Sequence, residues 1–439
     1  MTIAADILFV HNNFPGQYKL LAAHLARIDG LRVFAIGSHT AADVEGVQLQ
    51  RYRTPAQSTR NVHPFAKRFE IECRRAEQVI YAANVLKIKG MSPKLIFVHP
   101  GWGESLPLRQ LFPDAKICIY CEFYYSACGA DVGFDPEFRG YGVDGMARIE
   151  MRNAATLLGL VDADIGITPT RWQRSVFPSE FRSKIRCIHD GIDVDNLQPG
   201  PARFSHPILP KALQSGDEVL TYVARGLEPY RGFHIFMRAL PEILAKRPNV
   251  QVCIVGGTDV SYGSPPETGG DWKSVMLEEL TGQLDAKRVH FLDRLPYDQL
   301  LSLLRVSRAH VYLTYPFVLS WSLLEAMALG CTVIASDVAP VREVITNRQN
   351  GLLVPFFDVK ALAAKTIEVL TSPGNFAALG SKARATIRTG YSFERNTLPQ
   401  FQELIEELAP DIGQLMISGC DMRPSTDKIT RKEIDHAPL

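Results

Sequence analysis

Two arginines six positions apart offer the clearest chemistry in this chain. They stand in the string Arg225-Gly-Leu-Glu-Pro-Tyr-Arg231-Gly232, directly after an apolar run at 219–224 and ahead of a helical pattern. Guanidinium groups are permanently charged forks that bind phosphate oxygens in pairs. Two of them after a strand suit a diphosphate without help from a metal ion. A solvated turn carrying surface arginines is the plainer reading of the same string. A second anion site is offered by Ser322-Leu323-Leu324-Glu325. A helix starting near Ser322 would aim its unpaired N–H groups at a phosphate and set Glu325 in its first turn, within reach of ribose hydroxyls. A carboxylate there is also ordinary compensation of the helix dipole. A third loop, His11-Asn-Asn-Phe-Pro-Gly16-Gln, follows the first apolar run, and Gly16 would let backbone approach a phosphate or simply make a turn.

Ligands of open parallel sheets bind beyond the carboxyl ends of the strands, so these loops need a sheet behind each of them. Short apolar runs alternate with segments of helical period throughout, as expected of parallel sheets with crossover helices. Strands are expected at 7–10, 32–36, 95–98, 117–121, 165–168 and 185–188, with helices at 17–28 and 65–87. Prolines and glycine crowd 198–210, where an interdomain linker is expected. The alternation then restarts, with strands at 219–224, 250–255, 289–292, 310–314 and 332–335 and helices at 232–246, 271–284, 323–329 and 359–370. The expected organisation is therefore an N-terminal domain 1–198, a C-terminal domain 211–391, a helical segment 392–417 and a mobile tail 418–439. Two sheets of this kind facing one another would define a cleft.

Bulk properties narrow the class. At 439 residues the chain exceeds what one core usually organises, and 46% hydrophobic with 22% charged residues is ordinary globular composition. A net charge of +1 gives no global attraction to nucleic acid, so none is expected as a partner. No run is long and apolar enough to span a bilayer, and Asp6 precedes Ile7 without a basic leader, so a cytoplasmic protein is expected. The pair Cys118 and Cys121 lies within an apolar run with no second pair to complete a zinc set, which reads as buried thiols. The strings Asp162-Ala-Asp164 and Asp193-Val-Asp195 resemble a divalent-cation signature, but one precedes a short strand and the other lies near the linker. Neither is taken as a metal site.

The combination Arg225…Arg231-Gly232, Val255-Gly-Gly257, Leu323-Leu-Glu-Ala-Met-Ala-Leu-Gly330, Thr332-Val-Ile-Ala-Ser336 and Asn350-Gly-Leu-Leu-Val354 resembles retaining glycosyltransferase family 4. His99-Pro-Gly-Trp-Gly103 and Glu122-Phe-Tyr-Tyr125 resemble one branch of it more loosely. The resemblance implies the GT-B fold: two Rossmann-like, doubly wound α/β domains, the last helix returning to the first. It implies a nucleotide-sugar donor (UDP, GDP or ADP) on the C-terminal domain, no metal, and acceptor recognition by the N-terminal domain.

Carried across, Arg225 and Arg231 would hold the diphosphate with the amides near Ser322, Leu323 and Leu324. Glu325 would hold the ribose, and Gly256, Arg294 and Leu295 the base. Two departures stand out: Phe317 replaces the first glutamate of the Glu-x7-Glu motif, and Ser320 replaces its glycine. Where many members have a histidine facing the sugar ring, this chain has Glu122, which would stabilise a cationic sugar centre, bind a hydroxyl, or merely face water. His99 is a second catalytic candidate or a structural histidine. The expected activity is sugar transfer to a saccharide or lipid-linked acceptor, with transient membrane contact allowed and oligomeric state open. A nucleotide-sugar epimerase or hydrolase, and a silent nucleotide-binding scaffold, are the rival readings.

Overall fold

The computed structural model describes residues 5–138 and 140–420. The chain divides into two units. One comprises Met1–Gly191 with Phe393–Leu439, and the other Ile192–Ser392. The chain thus passes between units at 191/192 and 392/393. The proline-rich stretch expected to be a linker lies inside the second unit. It forms a short antiparallel pair there, described below.

The first unit is built on β1 (Ala5–Val10), β2 (Leu31–Ser38), β3 (Val47–Tyr52), β4 (Pro93–Val98), β5 (Lys116–Tyr120), β6 (Ile165–Thr168) and β7 (Ile185–Cys187). All pair in parallel, in the order β3-β2-β1-β4-β5-β6-β7. Every residue of β1 is buried, because helices cover both faces of such a sheet; the side chains are apolar except Asp6, which is paired with Arg32 at 2.7 Å. Val47-Gln-Leu-Gln-Arg-Tyr52 was not among the expected strands. It is an edge strand, mostly half-exposed, so its alternation is diluted with polar residues.

One face packs against the helix Lys19–Leu25 and against Leu398–Leu408, whose Phe401, Leu404 and Ile405 are buried on the sheet. Phe401 meets Phe97 edge-on with centroids 6.0 Å apart, and Phe97 stacks on Phe9 at 5.3 Å. The opposite face packs against Lys67–Ile88 and Ala154–Asp162. Cys118 belongs to the first core and Cys121 to the second. Three residues apart in an extended chain, their thiols point to opposite faces of the sheet and cannot share an ion. Burial pushes both thiols up. Of the segment expected to be a tail, 418–420 complete the helix Pro410–Cys420 and the rest lies outside the described residues.

The second unit begins with β8 (Arg203–Phe204) and β9 (Leu213–Gln214), the antiparallel pair mentioned above. Its main sheet contains β10 (Val219–Gly226), β11 (Gln251–Gly257), β12 (Val289–Phe291), β13 (Ala309–Tyr312), β14 (Val333–Ser336) and β15 (Leu352–Val354). They are parallel, in the order β12-β11-β10-β13-β14-β15. This is the doubly wound pattern in which the order reverses between the first strand and the fourth. The short β15 and the helices Tyr297–Val306 and Ala377–Gly390 complete elements that the apolar runs alone did not mark.

Candidate functional site

In each sheet the chain reverses its winding beside the first strand, so the loops leaving β1 and β4, and those leaving β10 and β13, flank the two crevices where ligands of this architecture bind. Gly16, His99 and Arg231 fall on these loops, Arg225 at the end of β10, and Ser322, Leu323, Leu324 and Glu325 on the helix that follows β13.

In the second unit the register of β10 against β11 shifts between Val223 and Gly226, a bulge that carries Arg225 at the strand's end. Arg225 is half-buried, and no described residue engages it in a hydrogen bond or ion pair. The chain then makes the 3-10 turn Pro229–Arg231 and enters the helix Phe233–Lys246 through Gly232 at φ +67. A Cβ on Gly232 would stand 2.4 Å from the Leu313 Cβ, so both the left-handed backbone and the contact with the β13 loop require glycine.

Arg231 points inward and is only 6% exposed. Its Nη1 donates to Thr314 Oγ1 at 2.8 Å and to the Val318 carbonyl at 3.1 Å. The guanidinium lies 4.9 Å from the Tyr262 ring centre and 5.8 Å from that of Phe317, so aromatic rings shelter it. Phe317 itself is packed edge-on against Tyr230 at 5.1 Å and at a tilt against Tyr262 at 5.0 Å. The position where the motif expects a glutamate is thus part of an aromatic wall.

The Tyr262 loop is fastened by Glu228, a fully buried carboxylate that accepts the backbone N–H groups of Ser261, Tyr262 and Gly263 at 3.2, 3.1 and 2.9 Å. Burial pushes its carboxyl up, against the opposing pull of those amides. Glu228 and Tyr262 were not among the sequence candidates. Glu228 sits inside the two-arginine string, but its partners lie 33 to 35 residues away.

The helix Trp321–Ala328 begins one position earlier than expected and is capped by Ser320, whose Oγ accepts from the Ser322 N–H. Glu325 therefore stands in the second turn, not the first, and accepts a 2.6 Å hydrogen bond from the Tyr297 hydroxyl. The Leu323 N–H turns to the Ser320 carbonyl at 3.2 Å, and the side chains of Ser322, Leu323 and Leu324 are buried. Serine at 320 is thus the residue that closes this helix end. Tyr297 follows Arg294 and Leu295 closely, so the structure brings Glu325 to the segment expected to meet the base. Leu295 is buried, whereas Arg294 is half-exposed and forms an ion pair with Asp259 at 2.6 Å. That bond first, with the charge of Arg225 contributing, holds the Asp259 carboxyl below the usual range. Gly256 lies in β11, where a Cβ would come within 2.8 Å of the Ala224 carbonyl.

In the first unit Gly16 has φ +46, and a Cβ there would collide with the His11 ring at 2.5 Å. The glycine makes room for a histidine side chain. His11 is buried, and its Nδ1 accepts from the Asn13 N–H at 2.9 Å while its Nε2 lies 2.7 Å from Gln17 Oε1. The Gln17 amide donates to Glu122 Oε1 at 3.0 Å. On the other carboxylate oxygen stands His99, its Nε2 3.4 Å from Glu122 Oε2 and its Nδ1 accepting from the Gly101 N–H at 3.1 Å. The His99 ring is 3% exposed and packs against Tyr120 and Trp102, whereas the Glu122 side chain is 35% exposed. Glu122 and His99, separate candidates in the sequence, are in contact, and His11 and Gln17 join them. The Tyr120 hydroxyl donates to Asp190 at 2.7 Å nearby in the same unit.

One carboxylate of each Asp-x-Asp string is engaged elsewhere. Asp164 accepts from Arg109 at 2.7 Å, Lys116 at 3.1 Å and the Ile117 N–H at 2.9 Å. Asp193 accepts from Asn196.

Known proteins match along the same division. Residues 29–197 match the family described as glycosyl transferase family 4 group, and residues 208–386 match glycosyl transferases group 1. A GDP-mannose-dependent monoacylated alpha-(1-6)-phosphatidylinositol monomannoside mannosyltransferase of Corynebacterium glutamicum is 29% identical over 408 residues, 90% of this chain and 96% of that one. A D-inositol 3-phosphate glycosyltransferase of Rhodococcus jostii is 28% identical over 204 residues, 46% of this chain and 43% of the relative. The chain spans about half the length of several curated relatives it matches. Among solved structures, sucrose-phosphate synthase of Thermosynechococcus elongatus superposes with a TM-score of 0.68 at 19% identity, covering 92% of this chain and 100% of that one. Two Rossmann-like units with these neighbours define the GT-B class. The chain belongs to glycosyltransferase family 4.

Proposed function

We propose that this protein transfers a sugar from a nucleotide-diphosphate donor to a saccharide or lipid-linked acceptor, with retention of anomeric configuration and without a metal ion. The observation that carries this reading is Arg225, a cation at the bulged end of β10 with no hydrogen bond or ion pair to any described residue, on the loop that leads to Arg231. As the sugar–phosphate bond breaks, negative charge grows on the departing diphosphate, and a positive group already in place stabilises that state more than the ground state. Arg231 adds its field from beneath the aromatic rings, where low polarity strengthens it. The base rests against Gly256, Arg294 and Leu295, the ribose against Glu325, and the departing phosphate takes the proton of the incoming hydroxyl.

GDP-mannose is the first donor to test, because relatives are named as dependent on it. The phosphatidylinositol-type acceptors in the same names favour a lipid-linked acceptor met at the cytoplasmic membrane surface. None of the described helices is long and apolar enough to cross a membrane, so such contact would be peripheral.

The test is donor consumption by the purified chain with GDP-mannose, UDP-glucose or ADP-glucose, with and without a chelator. Arg225→Ala and Arg231→Ala should each lower turnover by about a hundredfold, the effect of losing ~3 kcal/mol of transition-state stabilisation. Wild-type turnover in a folded Arg225→Ala variant removes the diphosphate assignment. A second reading has one observation behind it: Phe317 is buried in the aromatic wall where the family pattern has a carboxylate. A chain that binds GDP, UDP or ADP by calorimetry but consumes no donor is a scaffold. Epimer or free sugar formed from donor alone identifies an isomerase or hydrolase.

A further inference from the structure

We infer that Gln17 is a positioning residue that holds the Glu122 carboxylate by one oxygen, with the neutral His99 ring set beside the other, and that His11 sets the orientation of Gln17. The inference deepens the transferase reading and rests on it for the role of Glu122, but the contacts themselves stand apart from that reading.

The argument starts from two backbone amides. The Asn13 N–H donates to His11 Nδ1, and the Gly101 N–H donates to His99 Nδ1. A ring nitrogen that accepts carries no proton, so both imidazoles are neutral with hydrogen on Nε2. His11 Nε2–H can therefore only donate to its neighbour at 2.7 Å, which makes that atom of Gln17 the oxygen. The other end of the amide is then the NH2 group, and it faces Glu122 Oε1 at 3.0 Å. His99 Nε2 lies 3.4 Å from Glu122 Oε2, close enough for its charge to be felt but without a hydrogen bond to any described residue. Along the branch through His11 and Gln17, hydrogen therefore points the same way, from the turn amide toward the carboxylate.

Three loops supply the groups. His11 and Gln17 follow β1, His99 follows β4 and Glu122 follows β5, so the network spans neighbouring strand ends at the crevice. The glycine at 16 is what leaves space for the His11 ring. A donor on one oxygen and a neutral imidazole N–H 3.4 Å from the other favour the ionised carboxylate, and because Gln17 and His99 are neutral, neither cancels its charge. A fixed anion of this kind is suited to a sugar hydroxyl or to positive charge growing on a sugar ring.

Two measurements test this. Side-chain nitrogen NMR of the unliganded protein should show His11 and His99 as neutral Nε2–H rings. Glu122→Gln should shift the Gln17 amide and His99 Nε2 signals while leaving other histidines in place. Protonated rings, or signals indifferent to Glu122→Gln, overturn the network whether or not any donor is consumed.

The second measurement is a double-mutant cycle with GDP-mannose, read as GDP release. Gln17→Leu should lower kcat about tenfold at unchanged KM, the effect of one hydrogen bond to a charged group. It should cost nothing further when Glu122 is already Gln. Gln17 is only half-buried, so this variant spares the core. His99→Gln, which keeps a donor, should retain more activity than His99→Leu. Losses that multiply with Glu122→Gln assign Gln17 a role independent of Glu122 and refute the proposal. If the wild type releases no GDP while the NMR result holds, the transferase reading fails and the contact network survives.

Discussion

At the scale of single residues, the second unit depends on one carboxylate doing a backbone's work. Glu228 closes the Tyr262 loop by accepting three amides from a fully buried position, and Tyr262 in turn covers Arg231. Replacing it with glutamine keeps the size but substitutes an NH2 group for one acceptor, leaving buried amides unpaired. Glu228→Gln should destabilise the protein by about 2 kcal/mol, the usual worth of hydrogen bonds to a charged group. Chemical denaturation reads this directly, and an unchanged midpoint would mean that the loop is held by its ring contacts instead. Hydrogen exchange at Ser261–Gly263 amides should rise in the same variant.

At the scale of elements, the decisive piece is the helix that comes back. Leu398–Leu408 lies more than two hundred residues after β7 yet supplies one wall of the first unit's core. Its helical period was visible in the sequence, with apolar residues at 398, 401, 404 and 405 forming one stripe. Phe401→Ala removes a ring packed on Phe97 and should cost about 3 to 5 kcal/mol, as for other buried aromatic truncations. Thermal unfolding monitored by calorimetry should show the loss in the transition that includes the first unit. If a transition of the second unit moves instead, the core assignment is wrong. Elements that escaped the sequence reading share a physical cause. β3 is a half-exposed edge, and β15 is only three residues long, too short for periodicity to register.

At the scale of the molecule, burial of histidine in both units couples stability to pH. Burial first, with the nearby His99 adding and the Gln17 hydrogen bond opposing, pulls His11 down to about 3, and burial alone pulls His189 and His310 down to about 4. The unfolded chain takes up these protons near 6.5, before the folded chain does. The unfolded state therefore binds more protons below that point. The stabilising effect is complete above about 6.5 and drains away as pH falls toward 4. Melting temperature should hold steady from pH 8 to 7 and decline from pH 6 to 5, and His310→Gln should flatten part of that decline. A melting point that is level down to pH 5 would contradict the burial of these rings.

The class of architecture was legible in the linear pattern. Alternating apolar runs and helical periods announced two parallel-sheet units, and the strings around Arg225, Arg231 and Glu325 announced the family. Such signals are local, because a strand's burial and a helix's stripe are written in adjacent residues. What tertiary structure decided is which polar groups meet. Gln17 reaches Glu122 across 105 positions, and Arg231 reaches Thr314 across 83. Those meetings follow from strand order, which sets the ends of β1, β4 and β5 side by side in one sheet and those of β10 and β13 in the other. No spacing within a loop encodes such neighbours, since partners are chosen by long-range pairing of backbones that the site residues do not themselves direct.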